Sequence, residues 1–115
     1  MTNKIKRAEF IARVVHLGQR RSDGENYINH CFRVAESVGY VVGYKLEDED
    51  IICAAWLHDC IEDAENPYAV AVMIDYYFSK RTGELVSILT HRKWQSYNEY
   101  IEKVSKDSDA LQIKF

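Results

Sequence analysis

Chain breakers are scarce. A single proline, Pro67, and five glycines interrupt 115 residues. Long apolar runs are missing too. None approaches the roughly 20 residues that span a bilayer, and the opening "MTNKIKRAEF" has no hydrophobic core of a secretory leader. The expected setting is the cytoplasm. No excess of charge of one sign is present: a net charge of −3 gives no bulk attraction to polymeric nucleic acid or to an anionic membrane. Any anion must therefore be met by a local basic cluster. Cysteine is limited to Cys31, Cys53 and Cys60, an odd set without C-x-x-C spacing. Such a set points to buried free thiols. No repeat, low-complexity tract or linker is visible, and the length suits one domain. Strand signals are weak. "YVVGYKL" could form a short strand, but it has no evident pairing partner.

Helical periodicity is what remains. Ile5, Phe10, Ala12, Val14, Val15 and Leu17 form a first stripe, ending near Gly18 as a C-terminal cap. After the polar loop "GQRRSDGEN", a second helix is expected from Tyr27 to about Val42, with Ile28, Phe32, Ala35 and Val38 inward. The acidic "EDED" then suits the start of a third helix through the helix dipole. It lacks the central glycine and oxygen spacing of a calcium loop. Asn66-Pro67 opens a fourth helix, about 68 to 78, and a fifth follows at about 81 to 91. Ser96 with Glu99 three residues on reads as a capping box, and "SDALQIKF" begins as another helix. The tyrosines, Trp56 and Trp94 read mostly as core and boundary packing. The expected fold is an all-α bundle of about six or seven helices.

The third helix raises a chemical question. "IICAAWL" is core sequence, yet it runs directly into "HDCIED". If the helix continues, His58 stacks above Glu62 and Asp59 above Asp63. One imidazole and three carboxylates would then line the end of a buried run. Imidazole with carboxylate is a ligand set for Mn, Fe, Zn or Mg, and a cation removes the repulsion between close carboxylates. The alternative is a helix end where polar groups simply reach water. His30, on the inner edge of "YINHCFRVAESV", is by itself either a core histidine or a third ligand. Arg20 and Arg21 lie between Gly18 and Gly24, just before it. Their guanidinium forks match phosphate oxygens, although a solvated basic loop reads equally well. His91 with Arg92 and Lys93 reads as a solvated helix end.

Taken together, "HLGQRRSDGENYINHCFRVAESV" and "AAWLHDCIED" resemble the HD-domain metal-dependent phosphohydrolases. The resemblance is to the hydrolase domain of the RelA/SpoT type, which removes pyrophosphate from the 3′ position of guanosine tetraphosphate. The first block is carried by His16, Gly18, Gln19, Arg20 or Arg21, Ser22, Gly24, Tyr27, Ile28 and His30. Ala54, Ala55, Leu57, His58, Asp59, Glu62 and Asp63 carry the second. The resemblance implies an HD-domain-like bundle in which His30, His58 and Asp59 bind a divalent metal, manganese in this branch. It implies that Glu62 and Asp63 position or deprotonate the attacking water. It assigns Arg20 and Arg21 to the phosphates of a nucleotide, and His16 to a supporting role. The family's fourth ligand is an aspartate in a motif like "KLADRLHN". "QIKF" aligns with the opening of that motif, so the aspartate would follow Phe115. The expectation is one HD-type domain over residues 1–115, cut short at the C-terminus. Asp107 and Asp109 fall a turn or two early for that role.

The function expected is hydrolysis of a nucleotide phosphate or pyrophosphate linkage, with guanosine 3′,5′-bis(diphosphate) one candidate substrate. The alternative is an inactive HD-type module that binds a nucleotide or a protein partner. Assembly into a homo-oligomer is left open.

Overall fold

The computed structural model describes residues 2–42 and 48–115. Its helices are α1 (Asn3–Val15), α2 (Tyr27–Val42), α3 (Glu49–Leu57), α4 (Cys60–Asp63), α5 (Pro67–Tyr77), α6 (Lys80–Leu89), α7 (Tyr97–Ser105) and α8 (Ser108–Lys114). The described residues form no strand, only an isolated bridge between Arg20 and Asn26. The all-α expectation holds. The single turn α4 accounts for a helix count above the six or seven expected. Residues 43–46 of "YVVGYKL" lie outside the described residues, while Tyr40 and Val41 belong to the end of α2.

α3 is the axis of the fold. Every side chain from Ile51 to Leu57 is buried. A helix apolar on all sides must be enclosed on all sides, and α1, α2, α6 and α8 pack around this one. Whatever follows α3 in sequence is therefore delivered to the middle of the bundle. Glu49 and Asp50 occupy its first turn, where the dipole favours them.

Short polar caps set the other helices. Thr2 Oγ1 accepts from Ile5 N (3.2 Å), Asn66 Oδ1 from Ala69 N (3.1 Å) and Ser79 Oγ from Thr82 N (3.1 Å). Ser96 and Glu99 form the expected capping box. Each such cap stabilises its helix by about 1 kcal/mol. Pro67 sits in the first turn of α5, where its missing N–H costs nothing.

Four expectations need correction. On α1 the buried side is Ile5, Ala8, Ile11 and Ala12, whereas Phe10, Val14 and Leu17 are exposed. Both sets repeat at three and four residues, so period alone does not choose between them; small Ala8 and Ala12 permit the close approach to α3. On α2 Phe32 is about half exposed, and Cys31 takes the core position. Trp94 stands 78% exposed in the α6–α7 turn and packs no core. Lastly, the third helix does not run through "HDCIED". It stops at Leu57, turns at His58 and Asp59, and resumes as α4.

Candidate metal centre

The interruption at His58 and Asp59 builds the site. His58 keeps helical angles (φ −58°, ψ −30°), but Asp59 shifts to φ −105°, ψ 2°. The His58 ring turns back and bonds the carbonyl of Ala55 through Nδ1, at 2.7 Å. A side chain thereby satisfies one of the carbonyls left open at a helix end. Asp63 N reaches Asp59 O at 3.2 Å, so the helical hydrogen-bond pattern resumes directly after the turn. The effect is to re-aim two side chains. His58 no longer stacks on Glu62. It faces Asp59 instead, with Nε2 3.0 Å from Oδ2.

α2 brings a third group to the same atom. His30 Nε2 lies 3.9 Å from Asp59 Oδ2, and the two imidazole rings stand edge to face, 5.6 Å between centroids. One donor atom from each of His30, His58 and Asp59 falls within 4.8 Å of the others. A carbonyl only accepts, so Nδ1 of His58 must carry a proton. That leaves the Nε2 lone pair pointing at a carboxylate oxygen. Two lone pairs 3.0 Å apart need a cation between them, either a proton or a metal. Imidazole nitrogens with a carboxylate suit a divalent transition metal. The residues present therefore fit such an ion.

The electrostatics reflect this geometry. Burial alone would lift the Asp59 carboxyl, but the His58 hydrogen bond and charge, the Tyr27 hydroxyl and His30 together hold it well below the carboxylate range. Burial would depress His58, yet its bond to Asp59 raises it above the ordinary imidazole value. His30 is shifted down by burial, by the charge of His58 and by that of Arg21.

Tyr27 is named in the first block of the resemblance but given no role at the site. Its hydroxyl donates to Asp59 Oδ2, and its ring packs on His16, 4.6 Å between centroids. Its position three residues before His30, on one helix face, was the available signal. His16 is buried and braced by Gln19 Oε1 at 2.8 Å, with Asp63 Oδ2 at 3.8 Å. It packs against Tyr27 and stands outside the group of three donor residues.

Glu62 and Asp63, both on α4, meet different partners: Glu62 the backbone of His91 and Asp63 the ring of His16. Glu62 Oε1 accepts from the backbone N–H of His91, at 2.9 Å. Burial raises its carboxyl, with the neighbouring charges of Asp59 and Asp63 adding to the effect and the His91 N–H opposing it. His91 is thus no mere solvated helix end: its ring stacks on Tyr100, 4.7 Å away at 18°, and Nε2 donates to Gln95 O at 3.0 Å.

The two arginines differ. Arg20 donates from its guanidinium to Gly24 O, at 2.8 Å, and so closes its own loop. That loop depends on Gly18 (φ +79°) and Gly24 (φ +89°), both in the left-handed region that favours glycine. Arg21 contributes backbone bonds to the loop, and its charge reaches His30. Asp107 and Asp109 are not drawn to the metal group. Asp107 accepts both terminal nitrogens of Arg81 at 2.8 Å, and Asp109 accepts one at 3.1 Å.

Comparison with known proteins gives a consistent picture. The HD domain family model matches residues 8–113. The bifunctional (p)ppGpp synthase/hydrolase SpoT of Escherichia coli K12 is 36% identical over 83 residues, covering 72% of this chain and 11% of its own length. A guanosine-3′,5′-bis(diphosphate) 3′-pyrophosphohydrolase of Vibrio cholerae is 34% identical over 82 residues, covering 71% of this chain and 11% of its own. The chain thus spans about a tenth of the length of the curated relatives it matches. A solved structure of a metazoan ortholog of SpoT, described as hydrolysing ppGpp, superposes with a TM-score of 0.79 at 27% identity. It covers 99% of this chain and 65% of its own. No helix among the described residues is long and apolar enough to cross a membrane. From the first turns of α1 to the last of α8, the match is to one family, and the chain belongs to the HD domain family.

Proposed function

We propose that this domain is a divalent-metal-dependent phosphohydrolase that cleaves a phosphate ester or pyrophosphate linkage of a nucleotide. Guanosine 3′,5′-bis(diphosphate) is the leading candidate substrate, because relatives with 34–38% identity carry that activity in their names. One observation carries the reading: His58, with its Nδ1 proton committed to Ala55 O, directs Nε2 at the same Asp59 oxygen that His30 approaches. These three residues hold the metal, and manganese is the ion we expect. A bound divalent ion supplies a lowered pKa for water and polarises a phosphoryl oxygen.

The other roles belong to the chain itself. Tyr27 fixes the Asp59 carboxylate by its hydroxyl. Glu62, anchored by the His91 N–H, and Asp63, beside His16, orient water and accept its proton. Arg21 meets the phosphate charge, while Arg20 shapes the loop that presents it. We place this chemistry in the cytoplasm, where nucleotides occur and the buried free Cys31, Cys53 and Cys60 stay reduced.

A nucleotide panel assayed with manganese tests the reading. Asp59→Ala should abolish metal binding and turnover. Asp63→Ala should keep the metal and lose turnover. Full activity of Asp59→Ala with manganese refutes the proposal. One observation favours a second reading, a catalytically inactive module that binds a nucleotide or protein: Asp107 and Asp109 are tied to Arg81, so neither adds a donor to the three. Metal analysis of the purified chain separates the two, since a chain that takes up no manganese or iron supports the module.

A further inference from the structure

α5 is apolar on a side that no other described element covers. Its sequence, "PYAVAVMIDYY", carries one charged residue in eleven, Asp75. α3 is as poor in charge beyond its first turn, and four helices enclose it. α5 packs chiefly on α4 and α6, with Val70 and Ile74 buried, and its opposite side faces water. Tyr68 and Tyr76 are each 79% exposed there, and Val72 is 48% exposed. The three recur every fourth residue, so they form one stripe about 12 Å long. A surface helix ordinarily places charged groups on that side. Rich in tyrosine and poor in charge, the stripe has the composition of the centre of a protein interface.

Part of the stripe is already held in place. The Tyr76 ring stands edge-on to that of Tyr77, 4.9 Å between centroids. Arg7 of α1 lies over the Tyr77 ring, 4.6 Å from its centroid. An ordered ring loses less freedom when a partner docks on it. At about 200 Å² for a whole aromatic side chain, the outer side of α5 offers about 500 Å² per copy. Phe10 and Val14, three and seven residues after Arg7, are exposed on the neighbouring α1 and bring the area toward the roughly 800 Å² per partner of a standard interface.

The order of the stripe selects its occupant. Tyr68, Val72 and Tyr76 read the same in both directions about Val72. A two-fold axis requires that residue i meet residue j and that j meet i. Two copies of α5 laid antiparallel satisfy this: Val72 faces Val72, and Tyr68 faces Tyr76. Asp75 lies beside the stripe, so no like charges meet at the axis. We propose that the Tyr68–Val72–Tyr76 face of α5 binds a second copy of this chain, as an antiparallel two-fold dimer centred on Val72. His30, His58 and Asp59 lie outside this face, so the dimer forms with or without metal.

Sedimentation velocity of the purified chain over a concentration series tests this. A monomer–dimer equilibrium with a midpoint of about 10–100 µM is expected for an interface of this size. Val72→Glu and Val72→Lys each set like charges face to face across the axis, and each should weaken association at least about 100-fold. Mixed in equal amounts, the two variants should pair again, because the axis opposes residue 72 of one copy to residue 72 of the other. Tyr76→Ser, at an exposed position, should weaken the dimer about tenfold without placing a charge on the helix. Unchanged helical circular dichroism shows that each variant is folded. A chain that stays monomeric at tenfold above the expected range overturns the dimer and leaves the face to a different protein. A dimer that survives all three variants uses another surface, which also overturns the proposal. Charged variants that remain monomeric when mixed overturn the antiparallel register about Val72.

Discussion

Replacing Asp107 with alanine should cost stability and leave metal affinity intact. Asp107 is bound at two levels. Its Oδ1 accepts from the backbone N–H of Asp109 (3.0 Å) and Ala110 (3.2 Å), capping α8. Its carboxylate also takes both ends of the Arg81 fork at 2.8 Å, joining α6 to α8. Loss of a cap costs about 1 kcal/mol. The Arg81 side chain is 37% exposed, so solvent screens the pair, and it contributes only about 0.5–1 kcal/mol. Together Asp107→Ala should cost about 1.5–2 kcal/mol, a fall in Tm of about 5–10 °C for a domain of this size. Arg81→Ala keeps the cap and should cost about half as much. Urea unfolding of the two single variants and the double variant measures the coupling, expected near 0.5–1 kcal/mol. The pH dependence has a definite sign. Arg81 holds the Asp107 carboxyl below its ordinary value. Its contribution is therefore complete above the unfolded carboxylate pKa and is lost as pH falls through the folded one. A loss under 0.5 kcal/mol in Asp107→Ala, or a drop in manganese affinity in a folded variant, refutes the view that this aspartate serves the fold.

Tyr27→Phe removes the hydroxyl that fixes Asp59; manganese affinity, followed by calorimetry, should weaken about tenfold, as for other groups that orient a ligand, and unchanged affinity disproves the role. Tyr100→Phe deletes a buried hydrogen bond to Leu89 O and should lower unfolding free energy by about 1 kcal/mol in urea titrations; a neutral result contradicts it. The three thiols are buried and free, with Cys31 and Cys53 pushed up to about 12 by burial. A disulfide reagent at neutral pH should therefore label none of them until the protein unfolds; rapid labelling of the native chain is the contrary result.

Much of this molecule was legible in its residues. The extent of α2, the Asn66-Pro67 start, the Ser96–Glu99 box and the acidic opening of α3 are local features. Each is set by groups within four residues of one another, so the sequence displays them directly. His30, His58 and Asp59 stood out as candidates because few residue types bind metals, but it was the resemblance to the HD-domain phosphohydrolases that implied them as one ligand set. The stripe on α1 misled because two apolar sets share one period, and only the partner α3 chooses between them.

The composition and periodicity of the chain determined an all-helical bundle, and its residue types set candidate metal donors on or beside two of its helices. The aim of those side chains was decided by packing. A helix apolar on all sides had to be enclosed, and that enclosure forced its end into the centre of the bundle. There the His58 ring took the Ala55 carbonyl, broke the helix and turned Asp59 toward α2. Tyr27 and the His91 N–H joined from segments 32 and 29 residues away from their partners. Such long-range meetings arise from the burial of the whole core, which no short window of sequence encodes.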